Sequence, residues 1–194
     1  MGLIRKTRMG MAAVLAASLS VTLGILVLEG RAWEALPLHL CGISAVCAAL
    51  LALRPRAWLL DFLWYLGMPG ALLALLFPAP AVSRYQLAMN ASYVITHAMI
   101  LLIPGFLMVV GMRPAKGKAI RMVMMLDAIA LPVYAVNRAL CTDFLFLMAP
   151  PSGTPLEYVF HLGYPAYLLA LQLLVLLCCM GMEALAEALF RRGK

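Results

Sequence analysis

Charge is scarce in this chain, and acid is scarcer still. Only 12% of the 194 residues are charged, and eight of them are Asp or Glu. A soluble globular domain carries about 25% charged residues, so a water-soluble fold is excluded. Histidine occurs three times and cysteine five times. Neither makes a local metal motif, and the cysteines do not form a disulfide framework. No segment alternates apolar and polar residues over about ten positions, which excludes a membrane β-barrel. Internal repeats, low-complexity stretches and a separate soluble domain are also missing.

Long apolar runs are what remains, in a composition that is 65% hydrophobic. About 20 apolar residues in a helix cross a hydrocarbon core of about 30 Å. The chain reads as one all-α polytopic membrane bundle over residues 1–194, with about six spans near 10–29, 36–53, 58–77, 88–112, 119–137 and 157–180. Turn chemistry separates them at Arg54-Pro55-Arg56, Phe77-Pro78-Ala79-Pro80, Arg113-Pro114 and Pro150-Pro151-Ser152-Gly153. Proline ends a helix there because it lacks an N–H and its ring clashes with the preceding turn. Trp33, Trp58 and Trp64 fall near span ends, as an aromatic belt requires.

Alternating six spans places Arg5, Lys6, Arg8, Arg54, Arg56, Arg113, Lys116, Lys118, Arg121, Arg191, Arg192 and Lys194 on one side, and Arg31, Arg84 and Arg138 on the other. Twelve against three puts both termini in the cytoplasm by the positive-inside rule. The net charge of +7 is then a topology and anionic-lipid signal, and nucleic acid is not an expected partner. Arg5, Lys6 and Arg8 ahead of "AVLAAS" resemble a secretory signal. The apolar run continues to Val27 and Leu28, so an uncleaved first span is expected; cleavage would leave five.

Ionisable groups at membrane depth are costly and mark functional candidates. His39 and Cys41 stand at the start of the second span, His97 in the middle of the fourth, and Asp127 in the middle of the fifth. Pro37 suits a first helical position. Cys41 then lies near a helix amino end, where the dipole favours a thiolate. His39 is two residues from Cys41, about 200° round a helix, so a base for that thiol has to come from elsewhere. His97 is the first choice. Asn90 shares the His97 face, and Asp127, Tyr134 and Arg138 share another face, with Asn137 nearby. Glu157, His161 and Tyr164 open the sixth span, with Gln172 deeper. The economical arrangement is a shared polar cavity open toward the outer leaflet. Cys47, Cys178 and Cys179 read as small packing residues. Cys41 and Cys141 both lie near the outer side, and a disulfide between them would remove the nucleophile.

"LPLHLC" at residues 36–41, "THAMI" around His97 and "LGYPAYLL" from Leu162 resemble the YwaF-like family of bacterial integral membrane proteins. That family is related to a eukaryotic transmembrane acyltransferase that makes ether phospholipids with cysteine and histidine. More distantly it resembles membrane hydrolases of fatty-acid esters that use threonine and histidine. The resemblance runs from about Leu36 to Leu177 and implies Cys41 as nucleophile and His97 as base. Asn137 matches a polar position late in the fifth span. The following Thr142-Asp143-Phe144 departs from a Thr-Asn-Tyr pattern, and relatives carry an additional amino-terminal span.

The expected function is lipid acyl transfer or acyl hydrolysis at an inner membrane. Phospholipid or lysophospholipid is the expected partner, and no cofactor is implied. Cys41 and His97 are catalytic in this reading, with His39, Asn90, Asp127 and Asn137 orienting, and Tyr134, Arg138, His161 and Tyr164 lining the cavity. A different class stays open: a membrane protein that binds or moves a lipid or small molecule through the same cavity. A third reading takes His39, His97 and His161 with Asp127, Asp143 or Glu157 as a metal hydrolase site, but these residues lack a metal-binding spacing. The oligomeric state is not legible.

Overall fold

The computed structural model describes residues 2–78, 82–151 and 153–190. Ala79, Pro80 and Ser152 of the expected turns, and Arg191, Arg192 and Lys194 of the basic side, lie outside the described residues. Among the described residues the chain is all-helical, with seven helices and no strand. They are α1 (Gly2–Leu28), α2 (Leu40–Leu53), α3 (Ala57–Leu76), α4 (Gln86–Val109), α5 (Ala119–Leu140), a short α6 (Leu156–Phe160) and α7 (Tyr164–Leu189). Five of these, α1, α3, α4, α5 and α7, are long and apolar enough to cross a membrane. The protein is a multi-pass membrane protein.

α1 begins at Gly2, not at residue 10, and α7 ends at Leu189, not at residue 180; three further departures from the sequence expectation bear on the site. The second span begins at Leu40, not at residue 36, and has 14 residues. Pro37 lies ahead of the helix, in a tight turn closed by the Leu38 N–H on the Leu36 carbonyl at 2.7 Å. A proline φ suits the centre of such a three-residue turn. The turn folds back on Gly42, where a Cβ would stand 2.8 Å from Pro37 Cα, so only glycine fits. The last span begins at Tyr164. Gly163, at φ 109°, breaks the chain after α6, and Pro165 then occupies the first turn of α7. His161 and Tyr164 are therefore not on one helix. Third, α3 is not a regular helix: Leu63–Gly67 form a π turn. Pro69 has no N–H for the Tyr65 carbonyl, and the Met68 N–H reaches back to Leu63. Trp64 sits inside this turn, 2% exposed. It is a core residue, whereas Trp33 and Trp58 are exposed as a belt requires.

The chain divides into two compact units, Met1–Pro114 and Ala115–Lys194. In the first, α1 packs on α2 and α4, and α2 on α3 and α4. Hydroxyls stitch α1 to α4. Ser18 Oγ donates to the Ser92 carbonyl at 2.9 Å, and Thr96 Oγ1 is 2.9 Å away from it. Ser92 Oγ donates to the Ser18 carbonyl at 2.6 Å and accepts from Thr22 at 3.0 Å. Small hydroxyl residues let membrane helices approach and bond without water. Beyond α1, Glu29 accepts from Ser83 Oγ at 2.7 Å and the Arg84 N–H at 2.8 Å. These bonds, chiefly the Ser83 hydroxyl and then the Arg84 amide, hold its carboxyl below the ordinary 4.5. Arg31 pairs with Glu34 at 2.6 Å beside it.

In the second unit, α5 packs on α7. Glu183 of α7 accepts the N–H groups of Gly117 at 2.6 Å and Lys118 at 3.0 Å. A carboxylate at the start of α5 offsets the positive end of its dipole. At the other end, Asn137 holds the loop that follows α5. Its Nδ2 donates to the Phe144 carbonyl at 2.9 Å, and its Oδ1 accepts from Thr142 Oγ1 and the Phe144 N–H. Tyr164 donates to the Leu147 carbonyl at 2.7 Å, and Tyr167 to the Phe146 and Ala149 carbonyls. The loop needs these ties because Cys141, Leu145 and Phe146 all have positive φ, a conformation that is costly for side chains with a Cβ.

Candidate functional site

Of the residues singled out in the sequence, His39, Cys41, Asn90 and His97 belong to the first unit. Asp127, Tyr134, Asn137, Arg138, His161 and Tyr164 belong to the second. His39 is the residue that precedes α2, extended at ψ 152°, and its carbonyl accepts the first intrahelical bond, from the Ile43 N–H at 3.0 Å. Cys41 is thus the second residue of the helix, in the turn whose N–H groups have no intrahelical acceptor. All five cysteines are free thiols.

The short α2 sets the depth of that thiol. Heights can be counted at 1.5 Å per residue from the arginine-rich ends, Leu53 of α2, Ala57 of α3 and Val109 of α4. On this scale Ser44 and Gly67 both fall about 14–15 Å up, and they touch: a Cβ on Gly67 would lie 3.1 Å from Ser44 Oγ. Tyr93 and Ala74 fall about 24–26 Å up, and Tyr93 donates to the Ala74 carbonyl at 2.6 Å. Cys41 and His97 each stand twelve residues from the arginine-rich end of their helix, so both lie about 18 Å up. The 14 residues of α2 cover about 21 Å, short of a hydrocarbon core of about 30 Å. Its amino end and the turn at 36–39 therefore sit at membrane depth. Irregular backbone is tolerated there only inside protein or on a polar cavity.

His97 is 3% exposed. Its Nδ1 lies 2.7 Å from the Tyr93 carbonyl, and its ring lies 4.1 Å from the Tyr93 ring. A carbonyl can only accept, so Nδ1 carries the proton and Nε2 is the basic nitrogen. The orienting group for His97 is thus its own helix backbone. Asn90 lies on the exposed first turns of α4, accepting from Gln86 at 3.2 Å.

In the second unit, Asp127 accepts from Gln172 of α7 at 3.0 Å. Tyr134 and Arg138 are exposed near the end of α5, and His161 is exposed in the turn after α6. Glu157 accepts the Gly153 N–H at 3.0 Å. Among the described residues, no three His, Cys, Asp or Glu side chains gather as a metal-binding group.

A family model matches residues 3–183, from the first turn of α1 to far along α7. The chain belongs to the TMEM164 family. No curated protein and no solved structure matches it. The TMEM164 match covers both units and every residue singled out above.

Besides the Ser18, Ser92 and Thr96 hydroxyls between α1 and α4, two buried polar residues escaped the sequence reading of this TMEM164-family chain. Asp61 is 7% exposed, two residues before the π turn begins at Leu63. An acid inside "WLLDFLWYLG" was the available signal. Ser44 is 0% exposed, and its hydroxyl has no hydrogen-bond partner. A serine among alanines on a helix gives no such signal, because a bond to its own backbone is the ordinary outcome.

Proposed function

We propose that the protein transfers or hydrolyses phospholipid acyl groups in the inner membrane, with Cys41 as nucleophile and His97 as base. The observation that carries this reading is the truncated α2, which holds a free thiol among open N–H groups at the depth of His97. Membership of the TMEM164 family and the resemblance of "LPLHLC" and "THAMI" to YwaF-like proteins support it. His97 Nε2 takes the thiol proton, and the Cys41 sulfur attacks the ester carbonyl carbon of a phospholipid. The tetrahedral intermediate collapses, the C–O bond to glycerol breaks, and His97 returns the proton to the leaving alkoxide. The products are a Cys41 thioester and a lysolipid. Water or a second lysolipid then takes the acyl group by the reverse sequence.

Intact mass measurement after incubation with mixed phospholipids tests it, with wild type beside Cys41→Ser and His97→Ala. The expected result is a hydroxylamine-sensitive acyl adduct on Cys41, strongly reduced without His97. Undiminished lipid turnover in Cys41→Ala and His97→Ala proteins would overturn the mechanism and favour a lipid-binding or lipid-moving role.

A further inference from the structure

Resting on that acyl-transfer reading, we infer that the Ser44 hydroxyl is a catalytic oxyanion donor for the reaction at Cys41. Ser44 stands three residues after Cys41 on α2, so the two side chains are neighbours on the helix surface, with Cβ atoms about 5–6 Å apart. Side chains on a helix lean toward its amino end, so Ser44 leans toward the turn that carries the thiol. The hydroxyl is fully buried and bonds nothing, not even the Leu40 carbonyl four residues back. A buried hydroxyl without a partner is destabilising, and such a group in a native fold calls for a reason.

The surroundings keep that hydroxyl free. Gly67 faces it, and a side chain there would close to 3.1 Å of Ser44 Oγ. Gly70 lies one turn on against Leu40, where a Cβ would stand 3.2 Å from Leu40 Cδ2. The π turn ends at Gly67, and π turns are frequent at functional sites. The wall is therefore glycine where it meets α2 at Ser44 and Leu40, and the Ser44 hydroxyl there is an unused donor.

When the Cys41 sulfur attacks an ester carbonyl, the C=O π pair moves onto oxygen. The oxyanion needs donors that already point at it. The Cys41 and Gly42 amides supply two, at the positive end of α2. The Ser44 O–H supplies a third and keeps its proton throughout. The thioester passes through the same oxyanion when it is broken, so both half-reactions use the hydroxyl.

Ser44→Ala tests this in the intact protein, with adduct formation on Cys41, kcat, KM and thermal unfolding measured together. Because the lost hydroxyl bonds nothing, the variant is expected to unfold at the same temperature as wild type or higher. Adduct formation and kcat are expected to fall roughly 10²–10³-fold, the loss seen on removing one oxyanion donor, with KM unchanged. Wild-type rates in Ser44→Ala overturn the inference and leave the acyl-transfer reading standing. A lower unfolding temperature with proportional loss of activity overturns it in favour of a packing role. Absence of any adduct in wild type overturns the acyl-transfer reading and this inference with it.

Discussion

The two units of this chain treat polar residues in opposite ways. In Ala115–Lys194, apart from the Asp127–Gln172 pair between α5 and α7, the bonded polar side chains complete the backbone. Glu183 caps α5, Asn137, Tyr164 and Tyr167 hold the loop at 142–149, and Asp143 accepts the Met148 N–H at 2.8 Å. In Met1–Pro114, outside the loop tie at Glu29, the polar groups lie between helices. Ser18, Thr22, Ser92 and Thr96 bond one another across α1 and α4. His97 keeps one nitrogen available, and Ser44 is left without a partner. Groups that complete backbone have no capacity left for a substrate. Free donors and bases held rigidly are what acyl transfer requires, and they concentrate in the first unit.

The largest effect that can test this contrast is on chemistry. Cys41→Ala is expected to abolish the acyl adduct, and His97→Ala to slow its formation by about 10²–10⁴-fold. Neither should lower the unfolding temperature by more than a few degrees. If equal losses come from Asn137→Ala in protein that remains folded, the second unit takes part in the reaction and the contrast breaks.

The expected loss in Asn137→Ala is structural instead. It removes the ties to Thr142 and to both backbone groups of Phe144, at a cost of about 1–3 kcal/mol. Hydrogen exchange should show the Phe144 amide losing its protection.

Gly67→Ala should cost a similar amount, about 1–3 kcal/mol of overpacking. The new methyl would meet Leu63 Cδ2 at 2.8 Å and Ser44 Oγ at 3.1 Å. Thermal unfolding in detergent reads the loss, and a Gly67→Ala protein as stable as wild type would show that α2 and α3 are less tightly joined.

The smallest effect is the acid sensitivity of the loop at Glu29. Its carboxyl is held below 4.5 by Ser83 and Arg84. A depressed folded-state value means that the tie contributes fully above the ordinary carboxylate range and is lost as pH falls through the lowered value. Exchange at the Arg84 amide should rise only on acidification below about pH 4.5. Glu29→Gln should exchange faster at neutral pH and lose that acid dependence.

The spans show where sequence reasoning reaches and stops. The helices α3, α4 and α5 lie within a few residues of their expected places because apolar length is local information. The start of α2 was misjudged because Pro37 fits a helix's first turn and a three-residue turn equally well. The contact between Pro37 and Gly42 chose the turn. Trp64 was misassigned to an interfacial belt because it sits seven residues into its span, and the π turn rotates it inward. The hydroxyls of α1 and α4 were unremarkable one at a time, and only the helix crossing brings them within bonding distance.

Composition and periodicity by themselves determined that this chain is helical, multi-pass and rich in costly polar groups at membrane depth. They also determined that Cys41 and His97 are the residues to examine. Both follow from local quantities, the length of an apolar run and the expense of a polar group within it. Tertiary structure alone decided that α2 stops short and that the Ser44 hydroxyl lacks a partner. Those facts depend on what stands across from each residue, and hydrogen bonding and close packing are pairwise properties that no single segment carries.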